Sequence, residues 1–239
     1  MGKRSAQDKD WSSPEKHFQS NQGEMKRRMS ILESYISNGK KILEIGCSSG
    51  FMLSALKDRG ADVYGIDPSE GFIEYVKAKG ISVYKNLFEL KRDFNDKFDL
   101  IIHYYVLEHI REPLGFIQSY TDLLNENGKM IFEVPCATDP LVELYKVPAF
   151  DKFYWSVAHH WYFNKESLTA LLSKTGHTFQ LFPEQRYDLS NHIIWMLEGK
   201  PGGLGRFDNI FGSDLDTLYK IQLKKNWYCD TLIAILEKG

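Results

Sequence analysis

Glu108 and His109 stand side by side just behind the apolar run FDLIIHYY (98–105), and AHHWYFN (158–164) adds two further histidines, three aromatics and an asparagine. A histidine titrates near neutrality and suits a proton acceptor. An acid beside it can orient the ring, and an acid with two or three imidazoles is also a set of metal-ligand types. Earlier in the chain, LEIGCSSGF (43–51) places Glu44, Gly46, Cys47 and Gly50 between a strand-like run and a helix-like one, and Asp67 closes the next apolar run. Gly46 lets backbone approach a ligand closely and Gly50 lets a helix begin tightly. An acid at Asp67 can accept both hydroxyls of a ribose; the plainer reading of Asp67-Pro68-Ser69 is a helix-entry turn. A dinucleotide fingerprint would need glycine where Ser48 and Phe51 stand, and no Gly-Lys-Ser/Thr ending marks a phosphate loop, so both are disfavoured.

These residues need a scaffold, and the patterning supplies one. Runs at 42–46, 62–67, 81–85, 98–105 and 129–135 read as strands, and 51–60, 71–80 and 113–128 as helices. Alternation of this kind implies βαβ units and a mostly parallel sheet covered on both faces, a Rossmann-like α/β fold. Residues 136–163 are aromatic and carry no clean period. A helix at 164–176 with Asn164 as its cap follows, then strands at 177–187 and 230–238, which brings the sheet to seven strands. The spacing predicts an arm and helical cap over 1–38 and one domain over 39–239, with a helical insertion at 188–226 before the last strand. Ser13-Pro14-Glu15 reads as a helix start, and Trp11 and Phe18 as apolar residues of an arm that orders over a ligand. In the insertion, Asn191, His192 and Trp195 read either as a carbohydrate-facing surface or as a helical dimer face.

Bulk properties bound the partners. The chain has 239 residues, 43% of them hydrophobic, and a formal net charge of −2, with no clustered excess of Lys and Arg for nucleic acid. Three widely spaced cysteines give neither a disulfide framework nor a zinc pattern. The N-terminal residues lack the apolar stretch of a signal peptide, and no run is long enough to cross a membrane. A cytoplasmic protein without nucleic-acid or membrane partners is expected, with self-association into a homodimer left open.

Glu44-x-Gly46-x-x-x-Gly50, Asp67, FDLII leading to VLEHI (106–110) and LLNENGKMIFEVP appear in an order that resembles the class I S-adenosylmethionine-dependent methyltransferases over residues 41 to about 180. The resemblance implies S-adenosylmethionine as cofactor. It sets the Gly46 backbone along the cofactor's methionine part and Asp67 on its ribose, with Glu44, Cys47 and Gly50 also in the cofactor set. Pro68 and Ser69 would flank the adenine, Asn86 and Leu87 would meet its far side, and His103 completes the cofactor set.

Methyl transfer needs alignment of nucleophile, methyl and sulfur, and a group to take the nucleophile's proton. The resemblance raises His109 as that base, beside Glu108; the plainer reading is a Glu that braces a helix start and a His packed under a loop. AHHWYFN has three readings: core, a catalytic wall with His160 beside His109, and a ligand set that includes a cation. The catalytic wall with His160 pointing inward is preferred, and no resident metal is expected. Tyr104, Tyr105, Trp155, Trp161 and Tyr162 are candidates to line an acceptor pocket. The expected reaction is methylation of a small molecule, a sugar or nucleotide-linked sugar at oxygen or carbon. The alternatives are a quinone or phenolic acceptor, and a non-catalytic cofactor-binding partner.

Overall fold

The computed structural model describes residues 13–239, so Trp11 and the arm before Ser13 lie outside the described residues. Seven strands form one sheet in the order β3-β2-β1-β4-β5-β7-β6: β1 Lys41–Ile45, β2 Asp62–Ile66, β3 Ser82–Tyr84, β4 Phe98–Tyr104, β5 Leu124–Pro135, β6 Thr178–Glu184 and β7 Thr231–Glu237. The ladders β1–β2, β1–β4 and β2–β3 are parallel, with Glu44 opposite both Gly65 and Ile102. Parallel strands need crossover connections, and the helices after β1, β2 and β3 provide them: α3 Phe51–Asp58, α4 Glu70–Lys77 and α5 Leu87–Asp93.

The chain divides into two compact units. One holds the described residues up to Val106 together with Gly115–Phe132 and Ile235–Gly239; the other holds Leu107–Leu114 and Glu133–Ala234. In the first, Ile42, Leu43, Leu53, Leu56, Leu100 and Ile101 are sealed from solvent, as expected for strands covered on both faces. The N-terminal helices α1 Pro14–Ser20 and α2 Gln22–Leu32 belong to this unit and break at Asn21. Pro14 sits at the first helical position, while the Ser13 side chain makes no capping bond.

Two boundaries differ from the sequence reading. The helix expected over 113–128 is α6 Pro113–Thr121, and Leu124–Gly128 is already strand β5. The apolar spacing of LL-NENG fits a helix end, but the long strand completes backbone bonds there, Lys238 N–H donating to the Gly128 carbonyl at 3.0 Å. Asn86-Leu87, which the strand and helix reading left unassigned, opens a helix, because the Asn86 side chain accepts from Glu89 N–H at 3.0 Å.

In the second unit, α7 Pro140–Glu143, α8 Pro148–Tyr154 and α9 Lys165–Leu172 fill the aperiodic stretch and the helix after it, with Asn164 capping α9 in a capping box. The insertion folds as α10 Leu189–Glu198 and α11 Asp208–Lys225. Asn191, His192 and Trp195 are buried, which corrects their reading as an outward carbohydrate surface or dimer face. The face of α10 that carries them packs inward: Trp195 joins Leu141, Val147 and Phe150 in one apolar cluster, and His192 lies among Tyr145, Tyr219 and Gln185. Among the described residues no helix is long and apolar enough to cross a membrane.

Gly50 carries φ 69° at the start of α3, and a Cβ there would stand 2.8 Å from a Val76 methyl. Gly50→Ala is expected to lower stability by about 1–3 kcal/mol, the usual cost of a non-glycine residue held in a strained region. Urea denaturation measures it, and an unchanged midpoint would mean that the loop relaxes freely.

Candidate functional site

The end of β1 and the end of β2 are bound to each other through a single carbonyl. The Ile66 carbonyl accepts from Gly46 N–H at 2.7 Å and from Cys47 N–H at 3.1 Å. Ser48 N–H donates to Asp67 Oδ2 at 2.8 Å, and Gly50 N–H donates to the Cys47 carbonyl at 2.8 Å. Four amides of the 46–50 loop are therefore spent inside the protein. A pyrophosphate cradle needs such amides free, so the loop is unsuited to phosphate and suited to shape a close wall. Gly46 has φ 71°, and a Cβ on it would come within 2.7 Å of a Val106 methyl. Cys47 turns its thiol into the core, 2.7 Å from where a Cβ of Gly65 would stand, and burial pushes its pKa well above the ordinary value. It offers a ligand only backbone.

Asp67 is buried, and its carboxylate accepts from Ser48 N–H on one oxygen and from Ser69 N–H at 2.9 Å on the other. Each oxygen keeps a second lone pair for a ribose hydroxyl. Pro68 and Ser69 are exposed beside it. Glu44 is sealed in β1 with Oε2 unpartnered, and burial raises its carboxyl to about 8, opposed by the Arg28 charge. An orphaned acid and a cradle that a Cβ would fill are what a bound adenosyl-methionine moiety would complete. One expected contact is weaker than the sequence suggested. Asn86 gives one lone pair of its oxygen to the cap of α5 and keeps the other, whereas His103 is fully buried, its ring stacked 4.5 Å from Phe132 and edge-on to Phe116. Among the described residues both His103 nitrogens lack partners, and burial lowers its pKa to about 3, so that side chain belongs to the core layer under β4. Leu87 is half-buried at the first position of α5.

Sequence reasoning missed two residues of the N-terminal helices. His17 is buried between Phe51 and Phe72; Asn21 donates to its Nε2 at 3.3 Å, so Nδ1 carries the proton and meets Ser49 Oγ at 2.8 Å. Arg28, also buried, lies 3.9 Å over the Tyr104 ring and 5.8 Å from Phe51. A lone histidine and one arginine of a KRR run carry no spacing signal that would have singled them out.

In the second unit, Leu107–His109 forms a 3-10 turn directly after β4 in the chain. The Glu108 carbonyl accepts from His160 N–H at 2.8 Å and from Trp161 N–H at 3.2 Å, which pins the 158–164 segment to it. His109 Nδ1–H donates to the Ala158 carbonyl at 2.9 Å, fixing the tautomer and leaving Nε2 with its lone pair. The imidazole brought to His109 is that of His159, with ring centroids 4.7 Å apart; His160 is exposed, and the fold turns it away from the inward position expected of it. The pinning through backbone at 160 selects its neighbour for the inside, a parity that sequence does not show. Ligand-type atoms of Glu108, His109 and His159 lie within 4.8 Å of one another. Among the described residues, Glu108 Oε2 and His159 Nδ1 are buried without partners. Burial raises Glu108 to about 8; burial and then the His109 charge lower His159 to about 4. At neutral pH the cluster thus holds an uncharged carboxyl and an uncharged imidazole beside the exposed His109. Of the expected aromatic lining, Trp155 and Trp161 are partly exposed, and Tyr162 is tied to Tyr154 through its hydroxyl.

The backbone is left-handed at Ser48, φ 47°, and at Tyr105, φ 57°. Both lie just past the ends of the strands that carry the two clusters, where such strain is most often retained for a site.

A family of methyltransferase domains matches residues 17–180, more than half of the chain. The chain belongs to the methyltransferase domain family. Its fold is that of the class I enzymes, and S-adenosylmethionine is the cofactor that this membership assigns. A crystal structure of a SAM-dependent methyltransferase from Archaeoglobus fulgidus superposes with a TM-score of 0.63 at 18% identity, over 94% of this chain and 97% of that one. Magnesium protoporphyrin IX methyltransferase from Synechocystis, solved with bound SAH, gives 0.56 at 14% identity over 93% and 84%. Among curated relatives, a ubiquinone biosynthesis O-methyltransferase from Coxiella burnetii is 30% identical over 112 residues, 44% of this chain and 48% of that protein. The protein of that description from Histophilus somni is 35% identical over 104 residues, 39% and 44%. The chain matches about half the length of these relatives.

Two expectations follow. Asp67→Ala removes charge-assisted bonds worth about 1.5–3 kcal/mol each, so calorimetry with S-adenosylhomocysteine should show affinity at least about tenfold weaker; unchanged affinity would place the ribose elsewhere. The second concerns pH. Glu108 is raised from 4.5 to about 8 in the folded state, so its contribution to stability is complete below pH 4.5 and is lost as pH rises through about 8. Glu108→Gln should flatten that fall, read as urea midpoints at several pH values; a slope identical to wild type would mean that the carboxyl ionises freely.

Proposed function

We propose that this protein transfers a methyl group from S-adenosylmethionine to the hydroxyl oxygen of a phenolic, quinone-type small molecule. The reading is carried by the orientation of His109: with Nδ1–H held by the Ala158 carbonyl, Nε2 is the one nitrogen able to take a proton. Bound S-adenosylmethionine supplies a methyl group on a sulfonium, which is electrophilic and leaves as a neutral thioether. Asp67 holds the ribose, Gly46 lets the backbone close on the methionine part, and the buried Glu44 and Arg28 line the region of its polar end. His109 accepts the acceptor's hydroxyl proton at Nε2. His159, uncharged at neutral pH, packs edge-on against the His109 ring and keeps it in place. Glu108, protonated over the same range, adds no negative charge that would repel a phenolate. His160 remains in the proposal as an exposed contact to the acceptor rather than as a partner of His109.

A phenolic acceptor is favoured over a sugar on two grounds. The curated relatives are named for ubiquinone biosynthesis, and Asn191, His192 and Trp195, which suggested a carbohydrate surface, are buried. Trp155 and Trp161 remain available to an aromatic ring. A second reading has one observation of its own. Glu108, His109 and His159 converge closely enough to ligate a divalent cation, which would then replace the base by lowering the pKa of a bound hydroxyl.

Labelled-methyl transfer against catechols, other phenols and nucleotide sugars tests the acceptor; label found in the sugars alone would return the function to carbohydrate methylation. His109→Asn keeps the volume and loses the base, and should lower kcat about a hundredfold with cofactor affinity little changed. Full activity in that variant leaves positioning as the catalytic device. Activity that a chelator abolishes and a divalent ion restores makes Glu108, His109 and His159 ligands instead.

A further inference from the structure

The methyltransferase reading makes no use of α11. The helix is interrupted at Gly212, φ 66° and ψ 168°, and runs on from Ser213 to Lys225. One side of it is packed and electrostatically satisfied. Leu223 is buried, Tyr219 is bonded to His192 and Tyr145, Lys220 pairs with Asp216 at 2.9 Å and Lys224 pairs with Glu184 at 3.3 Å. The opposite side faces water with Leu215 at 44%, Leu218 at 54% and Ile221 at 49% exposure. A helix already packed on one face has no call for three large apolar residues on the other, unless that face is covered too.

The ends of this stripe say what covers it. Positions 214, 218, 221 and 225 follow one another at intervals of four, three and four and so share one line along the helix. They read Asp, Leu, Ile, Lys. Asp214 and Lys225 are both exposed, and among the described residues neither belongs to an ion pair within the chain. They stand about 16 Å apart at 1.5 Å per residue. A second copy of the helix laid antiparallel, with Leu218 opposite Ile221, puts Asp214 opposite Lys225, and two-fold symmetry makes the pair twice. A parallel arrangement would set Asp214 against Asp214. A lipid surface would leave the acid at the apolar stripe without a partner.

We propose that α11 is the seam of a homodimer in which two copies pack antiparallel along Asp214, Leu218, Ile221 and Lys225. This goes beyond the catalytic reading and does not depend on it. One helical stripe is less than the roughly 1,200–2,000 Å² that a stable interface buries. The same insertion exposes further large apolar residues, Leu197, Leu204 and Ile210, at 75%, 60% and 75%. The seam has the plan of an isologous interface: an apolar centre with complementary charges at its two ends.

Sedimentation velocity over a concentration series tests the proposal with the full chain. Wild type should approach twice the 27.7 kDa of one chain. Asp214→Lys and Lys225→Asp each place like charges across the seam, and each should weaken dimerisation by about tenfold or more. The double variant Asp214→Lys/Lys225→Asp restores opposite charges and should return within about threefold of wild type. Leu218→Glu should be monomeric. Circular dichroism and S-adenosylhomocysteine affinity, expected to be unchanged in all four, separate loss of the seam from loss of the fold. A wild type that stays monomeric at about 100 μM, where the free energy of association would be weaker than roughly 5.5 kcal/mol, overturns the proposal. So does a dimer indifferent to both single charge reversals, or a double variant no better than the singles. A monomer that binds phosphatidylcholine vesicles through Leu218 would assign the face to lipid and overturn it equally.

Discussion

One carbonyl organises the cofactor side of this protein. Ile66 O takes both the Gly46 and the Cys47 amide, and the next residue, Asp67, takes the Ser48 amide. These three bonds fold the loop after β1 onto the end of β2. The path requires left-handed backbone at Gly46, Ser48 and Gly50, and only two of those positions are glycine. It also requires that Gly65 lack a side chain, since Cys47 and Leu53 occupy the space that a Cβ would take. The cost of the turn is met by the ladder beneath it, where β1 is paired on both sides. The acid that can receive a ribose is therefore fixed by the backbone it also serves.

Both clusters share a device: titratable groups held uncharged by burial. Glu44 and Glu108 are raised to about 8, while His159 is lowered to about 4. Burying an ionised group without a partner is costly, so each yields its charge instead. The result in the second unit is an exposed imidazole, His109, bordered by neutral neighbours and fixed in one tautomer by a backbone carbonyl. In the proposed reaction this arrangement leaves Nε2 of His109 facing the acceptor with no fixed negative charge next to it.

The insertion shows the opposite economy. His192, Tyr219 and Tyr145 form a buried chain of hydrogen bonds, and Trp195 anchors the apolar cluster, so the polar and aromatic residues that look functional in sequence are structural. The residues left outside are leucines and isoleucines with a charge at each end. Side-chain type alone assigns those two roles in reverse, because it does not reveal which side of a helix is packed.

The sequence by itself determined the alternation of strands and helices, the glycine loop, Asp67 after the second strand and the Glu108-His109 pair after the fourth. These are local features: hydrophobic period, turn chemistry and order along the chain. It also determined the family, since the residues that carry the family pattern are the ones whose backbone path is constrained. Tertiary structure alone decided that His159 and not His160 meets His109. It decided that His103 belongs to the core, that His17 reaches the loop after β1, that Arg28 lies over the end of β4, and that α10 turns its polar face inward. Each of these depends on which side of an element is covered by residues distant in the chain. An irregular segment has no period that fixes where its side chains point, so the backbone bonds that pin it, such as His160 N–H to the Glu108 carbonyl, decide which imidazole meets His109.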